Sequence, residues 1–118
     1  MMKPTFKYLA IVALSGCCGL GTASVHAAGD AARGKDKSQT CQSCHGVDGN
    51  SPTAQFPSLA GQYQDYLVHT LKAYQSGERK NAIMAGMVAG LSSEDIEDLA
   101  AFYAAQKGLY DTAESRFR

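Results

Sequence analysis

The chain has 118 residues, 45% apolar and 19% charged, with 11 basic and 11 acidic side chains and a formal net charge of zero. That length holds one small domain and excludes two of ordinary size, and the apolar content excludes a disordered chain. The even balance removes the basic surplus on which nucleic-acid binding depends.

The first segment, residues 1–27, reads as a secretory signal peptide. Lys3 and Lys7 charge its start, Tyr8 to Leu20 is apolar and uncharged, and small residues lead to Val25-His26-Ala27. The apolar core of about 13 residues falls short of the roughly 20 that span a bilayer. Cleavage is expected after Ala27, with Ala28 the next best position. Leu14-Ser15-Gly16-Cys17 also fits a lipobox, in which Cys17 becomes the lipidated first residue. Both routes export the protein. After cleavage at Ala27 about 91 residues remain, with 9 basic and 11 acidic side chains and a net charge of −2. A domain of that size has a thin core and needs a disulfide, a metal or a cofactor to supplement it. The four cysteines form two close pairs, Cys17–Cys18 and Cys41–Cys44, in different parts of the chain, so they are not a disulfide framework.

The expected domain, residues 28–108, is all-α, with three main helices and no alternating strand pattern. The first helix starts at the N-cap Asp30 and runs toward Cys41. The second covers about Gln62 to Ser76, with Tyr63, Tyr66, Leu67, Leu71 and Tyr74 as its apolar stripe and Gly77 beyond its end. The third begins at Ser92 with Asp95 completing a capping box. Glu94, Asp95, Glu97 and Asp98 place acid near its positive end. Ile96, Leu99, Ala100, Phe102 and Tyr103 form its buried face, and Gly108 ends it. Gly46 to Gly61 is a loop rich in Gly, Pro, Asn and Ser, and residues 109–118 form a polar tail.

Cys41-Gln42-Ser43-Cys44-His45 reads C-x-x-C-H, the attachment signature of c-type haem. The spacing lets two thiols reach two vinyl groups of one porphyrin while the next His turns toward the iron. A thioredoxin-like redox pair would need a βαβ setting that is absent here. A structural zinc site would need about four ligands. A disulfide between Cys41 and Cys44 would leave His45 without a role. The sixth iron position is open to a His, a Met or nothing. His69 lies inside the second helix, where an exposed or half-buried His is the commoner arrangement. Met84 and Met87 precede Gly90 and are free to approach the opposite haem face or to fill the core.

These residues resemble class I c-type cytochromes, and in particular one domain of the bacterial cytochrome c4 group. The resemblance runs from Ala28 to about Gly108 through AGDAARGK, CQSCHGVDGNS, FPSLAGQ, YL, GERKN, the Met segment and LSSEDIEDLAAFYAAQ, in that order. It implies that Pro57 offers its backbone carbonyl to the ring N–H of the haem histidine. It implies that the first and last helices cross at Gly34 and Phe102. It also implies that Met84, eight residues before Ser92, is the sixth ligand. Arg79 and Asn81 match positions near the haem propionates, or serve simply as helix-end residues. Cytochromes c4 carry two such domains in tandem, whereas this chain has one C-x-x-C-H.

The resemblance implies a periplasmic mono-haem cytochrome, not an enzyme. It carries single electrons between donor and acceptor proteins that dock transiently, through iron held by His45 and Met84 in one covalently attached haem c. The competing readings are a haem subunit of a larger dehydrogenase and an open-site gas-binding haem protein. Nucleic acid is not an expected partner, and membrane contact is expected only through partners unless Cys17 is lipidated.

Overall fold

A computed structural model describes residues 29–109. The expected signal segment with Cys17, and the tail after Leu109, lie outside the described residues. Those described residues form five helices and no strand: α1 (Ala31–Lys37), α2 (Gln39–His45), α3 (Gln64–Ser76), α4 (Ala82–Val88) and α5 (Ser93–Ala104). The all-α class holds, with two short helices beyond the three predicted.

Local hydrogen bonding explains each boundary. Asp30 caps α1, its carboxylate accepting from the N–H groups of Ala32 and Arg33 at 2.8 and 3.1 Å. The first predicted helix is interrupted at Ser38, whose N–H and hydroxyl both donate to the Lys35 carbonyl at 3.2 and 2.7 Å. The Cys41 and Gln42 N–H groups then reach back to the Ser38 carbonyl, and the chain restarts as α2. α3 begins at Gln64 rather than Gln62, after the Tyr63 N–H has donated to the Gln62 side chain at 2.9 Å. Leu67 and Ala73 carry its burial, while Tyr63 and Tyr66 are exposed. Gly77 closes the helix in the left-handed region at φ 79°, where a glycine meets no steric penalty.

α4 falls on the Met segment and was not predicted. Asn81 caps it by accepting from the Ile83 and Met84 N–H groups at 3.0 and 3.1 Å. The expected capping box of α5 forms: the Ser92 hydroxyl accepts from the Asp95 N–H at 3.1 Å, and the Asp95 carboxylate accepts from the Ser92 N–H at 2.8 Å. α5 ends at Ala104 and not at Gly108. The Gln106 side chain donates to the freed Phe102 carbonyl at 2.8 Å. Gly108 instead packs on Ala60, whose carbonyl accepts from the Leu109 N–H at 3.0 Å.

α5 is the central element, packed by α1 and by α3, while α4 rests on α3. α1 crosses it at Gly34, as expected. A methyl group at Gly34 would collide with the Asp98 carbonyl and stand 2.8 Å from the Phe102 Cβ. The core joins Leu67 of α3 to Leu99, Ala100, Phe102 and Tyr103 of α5, with Cys41, Leu59, Val68 and Leu91 packed around them.

Asp98 departs from the sequence reading, which grouped it with the acidic start of α5. It is 0% exposed and joins α5 to α1. Arg33 donates to its two oxygens through Nε and Nη2 at 2.9 and 3.0 Å, Lys37 Nζ donates at 3.0 Å, and the Asp30 N–H at 2.6 Å. These donors, Arg33 first, hold the Asp98 carboxyl well below the usual carboxylate range. The Lys37 ammonium and the Ser92 N–H lower Asp95 to about 2. Both groups are depressed in the folded state, so their contribution to stability is complete above the unfolded carboxyl value of about 4. It is then lost as pH falls through the folded values. Helical signal should therefore decay between about pH 4 and pH 2. Asp98→Asn should lower stability at pH 7 and flatten that decay, as measured by thermal melts across the pH series. An unchanged pH profile would count against the Asp98 linkage.

Candidate haem-binding site

Cys41 and Cys44 lie three residues apart on α2, close to one helical turn, so both thiols project from the same side of a short rigid element. Both are free and half-buried. Cys41 packs against the α5 core, and burial pushes its thiol up.

His45 ends α2 at 6% exposure. Its Nδ1 lies 2.8 Å from the Pro57 carbonyl oxygen. A carbonyl can only accept, so Nδ1 carries the proton and donates. Nε2 is left with its lone pair, the form that ligates a metal. The Phe56 ring stands edge-on to the imidazole, centroids 6.5 Å apart.

The loop from Gly46 to Gly61 holds the Pro57 carbonyl in place through bonds to itself and to α5. The Leu59 and Ala60 N–H groups both donate to the Gly49 carbonyl, at 2.7 and 3.1 Å. The Asn50 side chain donates to the Lys107 carbonyl at 2.9 Å, and the Gly61 N–H to the Tyr103 carbonyl at 2.9 Å. Apart from Pro57, the sequence marks this segment only as loop-forming. The fixing roles of Asn50 and Gly49 need partners 57 and 10 or 11 residues away and leave no local signature.

Met84 is half-buried on α4, whereas Met87 on the same helix is 42% exposed. The main contact of α4 is with α3 rather than α2. Gln75 ties the two, donating to the Val88 and Leu91 carbonyls at 3.0 and 2.8 Å. Asn81 is engaged as the α4 cap. Arg79 lies over the Tyr74 ring at 5.1 Å. His69 is exposed on α3.

The residues fit a c-type haem. Two thiols and an imidazole with its free nitrogen determined by a hydrogen bond come from one helix, beside an apolar bed of α3 and α5 side chains. Two buried hydroxyls, of Thr70 and Tyr103, have no hydrogen-bond partner among the protein groups. Unpaired buried hydroxyls are costly, and they point to a site that is complete only once something besides the chain is bound.

An all-helical fold built around such a helix defines a c-type cytochrome. Residues 31–105 match the cytochrome c family, and the chain belongs to it. It is 49% identical to cytochrome c-554(548) of Halomonas halodenitrificans over 83 residues, covering 68% of this chain and 100% of that one. It is 46% identical to cytochrome c4 of Pseudomonas aeruginosa over 86 residues, covering 73% of this chain and 43% of the relative. The crystal structure of reduced recombinant cytochrome c4 from Pseudomonas stutzeri superposes with a TM-score of 0.66 at 46% identity, over 69% of this chain and 47% of that one. The chain thus spans a little under half the length of the cytochromes c4 it matches. It is a c-type cytochrome chain similar to about half of a cytochrome c4, and its cofactor is covalently bound haem c.

Proposed function

We propose that the chain is a periplasmic mono-haem carrier whose haem is bonded to Cys41 and Cys44, with iron held by His45 and Met84. The hydrogen bond from His45 Nδ1 to the Pro57 carbonyl, 2.8 Å long, carries this reading. It sets the tautomer and fixes the ring plane, leaving Nε2 as the ligating nitrogen. Bound haem supplies a one-electron couple. His45 and Met84 would hold its iron, and Cys41 and Cys44 would tether it to α2. Met84 is preferred over Met87 because its side chain is half-buried while Met87 is 42% exposed. A thioether ligand raises the reduction potential relative to a second imidazole. Electron donors and acceptors dock through small interfaces, under about 1,200 Å², which permits rapid release. Export rests on residues 1–27.

The ligand assignment is tested by two variants of the holoprotein. Met84→Ala should abolish the weak sulfur-to-iron absorption of the ferric form at the red end of the spectrum and admit carbon monoxide to the ferrous form. Met87→Ala should retain the band. The opposite pattern would move the ligand to Met87. Stable co-purification with a dehydrogenase would replace the free carrier with a complex subunit.

A further inference from the structure

The Tyr103 side chain is placed with more constraint than core packing alone requires. Tyr103 is 4% exposed, and its hydroxyl is buried without a hydrogen-bond partner among the protein groups. A phenylalanine would fill the same space without a polar atom to satisfy. The ring is held by Phe102, centroids 4.9 Å apart, and by the backbone of Gly49, at which a Cβ would stand 2.6 Å from the Tyr103 ring. The Tyr103 carbonyl is tied to the Gly61 N–H at 2.9 Å. The hydroxyl therefore cannot swing out to solvent.

Its polar neighbours are Ser38 and Cys41. The Ser38 hydroxyl already donates to the Lys35 carbonyl and accepts from the Gln42 side chain. Cys41 packs against the cluster that contains Tyr103. As a thiol, Cys41 brings a competing S–H donor. As a thioether it has no proton and presents only lone pairs. Burial pushes the Tyr103 hydroxyl above the ordinary phenol range, so it stays a protonated donor.

We infer that Tyr103 is a positioning residue for the haem attachment, its buried hydroxyl donating a hydrogen bond to the Cys41 sulfur once that sulfur is a thioether. The bond orients the linkage and sets the positive end of the buried O–H dipole toward it, which favours the state that carries the extra electron. The inference rests on the attachment through Cys41 proposed above.

The test compares wild-type and Tyr103→Phe holoproteins in a mediator titration. The variant should show a reduced-to-oxidised ratio about twofold lower or more at fixed ambient potential, as expected for loss of one weak hydrogen bond. It should also melt at a lower temperature, although a hydroxyl with no partner would make the phenylalanine variant more stable. In a Cys41→Ala background, Tyr103→Phe should leave the ratio unchanged, because the acceptor has gone. If that background yields no holoprotein, resonance Raman decides: the carbon–sulfur stretch of the Cys41 thioether should shift on Tyr103→Phe. An unchanged ratio, or an unshifted stretch, with haem still attached at Cys41 overturns the Tyr103 assignment alone. Release of wild-type haem by acid and organic solvent overturns the attachment itself.

Discussion

Protein in which Cys41 and Cys44 are both alanine should lose its haem linkage and most of its helical signal. The core has little else to rely on. Its large fully buried apolar side chains are Ile96, Leu99 and Val88, and much of the remainder is alanine. A domain this small is marginal by its own burial. α2 and α4 are seven residues each, well short of the length at which a helix is stable alone. A group bound only by the folded state adds its binding energy to folding. Circular dichroism of the double variant, purified without haem, measures the effect. A cooperatively melting, fully helical protein would contradict it.

Gly34→Val should be nearly as damaging, by a different route. The glycine lets α1 rest directly on the α5 backbone, where any Cβ would overlap the Asp98 carbonyl. Separating the helices would also pull Arg33 and Lys37 from the Asp98 carboxylate, which is 0% exposed. Overpacking of this kind costs about 3 kcal/mol, a large share of the roughly 5–15 kcal/mol that holds an ordinary domain together. Gly86→Ala serves as the control. No other protein atom lies within 4 Å of a Cβ at Gly86, so against the chain itself alanine there should be neutral or stabilise α4 by up to about 1 kcal/mol. Denaturant melts of the two holoproteins give the comparison. Equal stability of the two variants would rule out the close crossing.

Much of this was legible because its signals are local. Asp30, Ser92 and Asp95 announce helix starts through their own side chains. C-x-x-C-H carries its chemistry in five consecutive residues. The Gly34 crossing and the part played by Pro57 were readable only through resemblance, since nothing near either residue reports a partner 68 or 12 positions away. The α4 pattern is faint in the sequence because Gly86 and the absence of charge weaken it, although Asn81 is an available cap. Asp98 sits among the acids of the α5 start yet faces inward, a matter of helical phase that composition does not report. It lies four residues before the buried Phe102 and so shares its face. The break at Ser38 had no warning, because a serine bonding back to Lys35 interrupts the helix without any Gly or Pro.

The most direct measurement of the central claim is the fate of the haem when the purified protein is extracted with acid and organic solvent, followed by mass analysis of its proteolytic peptides. The chromophore should stay on the polypeptide, and the one haem-bearing peptide should contain Cys41 and Cys44. Haem that extracts freely, or that rides on a peptide lacking those two cysteines, would contradict the account.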